Sequence, residues 1–129
     1  MTPEKLMELA KEAMEKAYAP YSRLRVGAAV LDEHGNVYTG VNVENASFGL
    51  TVCAERNAVA AAVGAGCGKI RAVAIYSPDY PGILYPCGAC RQVIAEFGDS
   101  STVIIVSDRS FGFTEKRLGE IFPGDELKF

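Results

Sequence analysis

The chain has 129 residues, room for one compact domain spanning 1–129. It is 49% hydrophobic and 22% charged, with 13 Gly and 6 Pro, which excludes a disordered, collagenous or coiled-coil chain. Lys and Arg total 13 against 16 Asp and Glu, a formal charge of −3, whereas a small domain that grips nucleic acid needs a basic excess, so a small ligand is the expected partner.

Four cysteines, Cys53, Cys67, Cys87 and Cys90, are the unusual feature of the composition. No charged start followed by an apolar run and a cleavage site is visible, and the longest apolar runs are too short to span a bilayer. The expectation is a cytoplasmic chain without membrane contact. There thiols stay reduced, and they serve metal binding or catalysis rather than disulfides.

Residues 3–18 read as an amphipathic helix, capped by Thr2, opened by Pro3 and ended by Pro20, with Leu6, Leu9, Ala10, Ala13 and Ala17 at helical spacing. Val26–Leu31 and Val37–Val41 are β-prone runs around a hairpin loop, Asp32 to Asn36. The single histidine, His34, lies in that turn and is expected to be solvated and idle.

Cys53 to Ala65 reads as an alanine-rich helix stopped by Gly64 and Gly66. Ile70–Ser77 is a nearly continuous apolar strand, Cys87–Phe97 a helix closed by Gly98, and Thr102–Ser107 another apolar strand. Such runs imply strands covered on both faces, and strand–helix–strand at this spacing predicts a parallel crossover unit. A strand at 111–115 and a short helix before Pro123 complete the order. The expected architecture is α/β, a three-layer α-β-α sandwich around a mixed sheet of about five strands.

Two short motifs carry the chemistry, Cys53-Ala54-Glu55-Arg56-Asn57 and Pro86-Cys87-Gly88-Ala89-Cys90-Arg91-Gln92. Each puts its first cysteine at a predicted helix start, where unpaired N–H groups and the helix dipole favour thiolate. Cys87 and Cys90, three apart, share one helix face, and with Cys53 they form a soft ligand set suited to zinc. Three protein ligands on a tetrahedral ion leave one vertex for water, the catalytic arrangement. Glu55, in the first turn after Cys53, lies near that vertex without sharing the metal, so one carboxylate can take a proton from water and return it to a leaving group.

These motifs resemble the zinc-dependent cytidine deaminases, in particular their small homotetrameric class. The resemblance extends to Tyr21-Ser22, Val26-Gly27-Ala28-Ala29 and Asn42-Val43-Glu44-Asn45-Ala46, and so runs over nearly the whole chain. It implies one Zn²⁺ per chain on Cys53, Cys87 and Cys90, with Glu55 as the proton shuttle. It further implies Asn42 and Glu44 on the ribose hydroxyls, the Ala54 backbone on the pyrimidine edge and the Tyr85 carbonyl facing the departing ammonia. The implied reaction is attack of a zinc-bound hydroxide on C4 of cytidine or deoxycytidine, as in pyrimidine salvage.

Arg56 is expected to hydrogen-bond a thiolate, offsetting the net negative charge of three thiolates on Zn²⁺. Leu24 stands where the family often has a phenylalanine on the base, which gives up aromatic stacking. Tyr85 is bulkier than the small hydroxyl residue common there. Glu126 falls near a position where the family often places a phenylalanine that reaches a neighbouring subunit's site; Phe129 could substitute. The alanines at 58, 60, 61, 62 and 65 propagate a helix and would also allow close helix–helix approach in a tetramer.

A structural zinc knot would recruit Cys67 as a fourth ligand, and a non-catalytic zinc module would lack turnover. A redox C-x-x-C would leave Cys53 and Glu55 without a role. A blasticidin-type nucleoside deaminase shares the zinc motif, although Asn42 and Glu44 favour a plain nucleoside. A nucleic-acid-editing deaminase would need a basic, aromatic-lined groove, which the charge of −3 opposes.

Overall fold

The computed structural model describes residues 1–108 and 112–124; Glu126 and Phe129 lie outside the described residues. The elements run α1 (Pro3–Met14), β1 (Gly27–Asp32), β2 (Val37–Val41), a 3₁₀ turn (Phe48–Leu50), α2 (Ala54–Gly64), β3 (Ile70–Tyr76), α3 (Gly88–Phe97), β4 (Val103–Ser107), β5 (Phe113–Arg117) and α4 (Leu118–Ile121).

The start of α1 follows its local sequence: Thr2 Oγ1 accepts the Lys5 N–H at 3.1 Å and Pro3 takes the first helical position. Its end corrects the expectation of a helix over 3–18, because α1 stops at Met14. Tyr18 has left the helical path to pair with β2's continuation: its N–H donates to Asn42 O at 3.0 Å, and its carbonyl accepts the Glu44 N–H at 2.9 Å. That tertiary pairing outweighs the helical spacing of Ala17.

The sheet order is β2-β1-β3-β4-β5. β1 is antiparallel to both β2 and β3, β3 and β4 are parallel from Ala72↔Val103 to Ile75↔Val106, and β5 returns antiparallel to β4. The fifth strand lies two residues later than the expected 111–115, at Phe113–Arg117.

Alternation along the strands sorts the core into two sides. Ala28, Val30, Val73, Ile75, Ile104 and Val106 pack with α2 and α3, whereas Ala29, Ala72, Ala74 and Ile105 pack with Leu6 and Ala10 of α1. The result is helix, sheet, helix. Small residues let the helices sit close. A Cβ on Gly40 of β2 would lie 2.3 Å from the Ala58 nitrogen and 2.7 Å from the Ala54 carbonyl, so α2 rests directly on that strand. Among the described residues, no helix is long and apolar enough to cross a membrane.

Candidate metal centre and substrate pocket

Cys53 and Cys87 occupy the N-cap positions of α2 and α3, with extended backbone and no side-chain capping bond. Ser, Thr, Asp or Asn would normally sit there and satisfy the first-turn N–H groups. Two cysteines in their place give up local capping and leave both sulfurs available at converging helix starts, where positive dipole ends favour thiolate. Cys90, one turn into α3, is fully buried, while Cys87 is exposed and Cys53 half-buried.

The three sulfurs lie within 4.8 Å of one another, with Cys87 and Cys90 at 3.4 Å. Sulfurs about 2.3 Å from a tetrahedral zinc are separated by roughly 3.8 Å, so the cluster matches that ion's size and its taste for thiolate. Cys67 is not in this group. It follows the C-terminal end of α2, and an 11-residue helix spans about 16 Å from the end that carries Cys53. The spacing removes the closed four-sulfur site.

Electrostatics agree with the geometry. Hydrogen bonding to Cys90 pulls Cys53 down to about 5 against the opposing effect of burial, and Arg56 assists. Cys90 is pushed up by its Cys53 neighbour and by burial. Arg56 Nη2 lies 3.8 Å from Cys53 Sγ and 3.4 Å from the Thr51 carbonyl. Its Nε is buried with no hydrogen-bond partner among the described residues. A guanidinium with an unused donor fits a cluster that keeps a net charge of about −1 when three thiols ionise to hold one divalent ion.

Glu55 is 6% exposed and lies within hydrogen-bonding reach of the Cys90 thiol. Burial, reinforced by the charge of Cys53, pushes its carboxyl up to about 7. A carboxyl poised there can both accept and donate a proton near neutral pH.

Asn42 and Glu44 are nearly buried, and their side chains organise the segment 21–26. Asn42 Oδ1 accepts the Val26 N–H at 2.9 Å, and its Nδ2 donates to the Leu24 carbonyl at 2.7 Å. Glu44 Oε1 accepts the N–H groups of Tyr21 at 3.0 Å and Ser22 at 3.1 Å, and Oε2 accepts the Ser22 hydroxyl. The Ser22 contacts hold Glu44 below the usual carboxylate range despite desolvation. A cavity of about 370 Å³ opens here, lined by Tyr21, Ser22, Glu44, Phe48 and Thr51.

Leu24 and Tyr85 are both half-buried against the α2/α3 side of the core, and Ala54 is fully buried at the first position of α2. Sequence reading missed Arg91 as an organiser: its Nε donates to Pro86 O at 2.7 Å and its Nη1 to Ile121 O, tying the residue before Cys87 to the end of α4. Its place in the Cys-Arg-Gln run was the available signal. His34 is exposed, as expected.

A family model described as the cytidine and deoxycytidylate deaminase zinc-binding region matches residues 1–106. The chain is 43% identical over 124 residues to the cytidine deaminase of Sporosarcina psychrophila, covering 96% of this chain and 90% of that protein. It is 45% identical over 114 residues to the cytidine deaminase of Mycobacterium tuberculosis, covering 88% and 81% of the two chains. The crystal structure of cytidine deaminase from Burkholderia pseudomallei superposes with a TM-score of 0.90 at 42% identity, over 98% of this chain and all of that one. With the thiol cluster and its buried carboxyl in place, these likenesses settle the family: the chain belongs to the cytidine and deoxycytidylate deaminase zinc-binding family.

Proposed function

We propose that the chain catalyses hydrolytic deamination of cytidine, and of deoxycytidine, to uridine or deoxyuridine and ammonia. The observation that carries this reading is the buried Glu55 carboxyl, held near 7 beside three converging thiols. Cys53, Cys87 and Cys90 would hold Zn²⁺, which when bound would supply Lewis acidity and acidify a water.

Glu55 then takes a proton from the attacking water and delivers it to N3 of the base. It moves the second proton to the amine at C4, so that water and cytidine balance as uridine and ammonia. Arg56 steadies the thiolate charge on Cys53 through its 3.8 Å contact. The Ala54 N–H, which has no acceptor within α2, reads the pyrimidine edge, Leu24 covers one base face, and the Tyr85 carbonyl receives the leaving ammonia. Asn42 retains one amide proton and Glu44 one lone pair beyond the bonds described, enough to meet ribose hydroxyls.

The same reading has residues 1–129 as one catalytic domain, working in the cytoplasm where its thiols stay reduced, as a homotetramer. Support for self-association comes from α2, where Ala58 and Ala62 face the sheet while Ala60, Ala61 and the C-cap Ala65 are exposed. Phe48 and Leu50, 73% and 65% exposed, add apolar surface beside the Glu44 cavity.

The deciding experiment follows absorbance loss on cytidine, deoxycytidine, cytosine and a short single strand, with and without a zinc chelator. Both nucleosides should turn over and the chelator should stop them. Glu55→Ala should retain zinc and lose turnover; a Glu55→Ala protein that still deaminates cytidine overturns the shuttle.

A further inference from the structure

Ser22 stands where two parts of the pocket meet. Its N–H donates to Glu44 Oε1 at 3.1 Å, its hydroxyl donates to Glu44 Oε2, and the same hydroxyl accepts the Leu24 N–H at 3.0 Å. The carbonyl of Leu24 accepts from Asn42 Nδ2 at 2.7 Å, so both peptide groups of Leu24 are fixed. Between Ser22 and Leu24 lies Arg23, whose φ of 61° makes it the one non-glycine residue with positive φ among the described residues. An L-residue holds that conformation only where its surroundings over-determine it, and here the Arg23 N–H donates to Ala19 O at 3.0 Å while Glu44 and Asn42 hold the residues on either side.

We propose that Ser22 is a positioning residue that couples sugar recognition at Glu44 to coverage of the base by Leu24. The inference rests on the cytidine reading above, in which Glu44 meets the ribose and Leu24 the pyrimidine. A carboxylate accepts about four hydrogen bonds. Tyr21 N–H, Ser22 N–H and the Ser22 hydroxyl fill three, so the Ser22 hydroxyl decides where the remaining lone pair points. The polarity is fixed as well. A serine hydroxyl has one proton, and once it is given to Glu44 the oxygen can only accept from Leu24. Loss of the hydroxyl therefore removes one bond from the sugar-binding carboxylate and one from the base-covering residue in a single step.

The test is steady-state kinetics on Ser22→Ala, with Ser22→Thr and Ser22→Val as a pair of equal shape with and without the hydroxyl. KM for cytidine should rise about tenfold in Ser22→Ala and Ser22→Val, the effect of one hydrogen bond of about 1.4 kcal/mol, while kcat stays within about threefold. Ser22→Thr should restore KM. Ser22→Ala and Glu44→Gln should act non-additively in a double-mutant cycle on KM. A merely structural role lowers the active fraction, and with it kcat, and leaves KM alone. Turnover by the unsubstituted chain with KM unchanged in Ser22→Ala and Ser22→Val, or a Thr variant no better than Val, overturns the Ser22 proposal alone. No turnover by the unsubstituted zinc-loaded chain overturns the functional reading and this proposal with it.

Discussion

The Arg56 guanidinium reaches back along the first turn of α2 to lie 3.8 Å from the Cys53 sulfur, with its Nε buried and unpartnered among the described residues. A positive charge beside three converging thiols lowers the cost of ionising them and would offset the net negative charge of three thiolates on a divalent ion. Arg56→Gln removes the charge but keeps a donor. Because Arg56 helps hold Cys53 near 5, the substitution should raise that thiol's pKa, read from thiolate absorbance in the metal-free protein. In the zinc-loaded protein kcat/KM should fall about tenfold or more, the range for a charge-assisted hydrogen bond. An unchanged rate and pH–rate profile would remove Arg56 from the mechanism.

The cysteines should separate three to one in metal content. Cys53, Cys87 and Cys90 place their sulfurs within 4.8 Å, whereas Cys67 follows the far end of α2. Serine at 53, 87 or 90 replaces a soft thiolate with a hard, reluctant ligand and should leave well under one zinc per chain after dialysis. Cys67→Ser should keep one zinc and near-normal turnover. Elemental analysis of the four variants decides it; zinc loss in Cys67→Ser would reinstate a four-sulfur site.

Legibility in the sequence followed the range of the forces involved. β3 and β4 were readable because burial on both faces writes itself as uninterrupted apolar runs, and the parallel pairing of Ala72 with Val103 follows from the helix between them. The thiol cluster was readable because ligand softness and helix-start position are local properties of Cys53, Cys87 and Cys90. Contacts that join distant segments were not. Nothing near Tyr18 signals that Asn42 and Glu44 will take its backbone out of α1. Likewise Asn42 and Glu44 were legible only by resemblance, and as sugar-facing residues. Their grip on Val26, Leu24, Tyr21 and Ser22 spans 16 to 23 positions and has no periodic signature. Arg25 shows the same limit: its N–H and its guanidinium Nε both reach Asp79 Oδ2 at 2.9 Å, 54 positions away.

Gly40 governs how closely α2 approaches the sheet, and α2 carries Cys53 and Glu55. A Cβ there would come within 2.3 Å of the Ala58 nitrogen and 2.7 Å of the Ala54 carbonyl, both backbone atoms that cannot swing aside. Gly40→Ala should cost about 1–3 kcal/mol of stability, typical of overpacking, seen as a lower urea midpoint with unchanged slope. Because the displaced turn holds Glu55, kcat should fall in the fraction that remains folded. Wild-type kcat in a destabilised Gly40→Ala protein would show that α2 can shift without moving the carboxyl.

Asp32, at the end of β1, is 2% exposed and ties two loops together. Its Oδ1 accepts the N–H groups of His34 and Asn36, each at 2.9 Å, and its Oδ2 accepts the Gly68 N–H at 3.1 Å. Burial alone would raise the carboxyl, but the Asn36, Gly68 and His34 N–H groups outweigh it and hold Asp32 below its ordinary value. A depressed folded pKa means that the unfolded chain binds its proton first. The contribution is therefore fully present above the unfolded value of about 3.9 and is lost as pH falls through the lower folded value. Asp32→Asn keeps one acceptor oxygen but sets an amide NH₂ against a backbone donor. Its urea midpoint should fall well below wild type at neutral pH, and the gap should narrow below about pH 4 as the wild-type carboxylate protonates. A gap that stays constant down to acid pH would mean that shape, not charge, holds the 32–36 turn to Gly68.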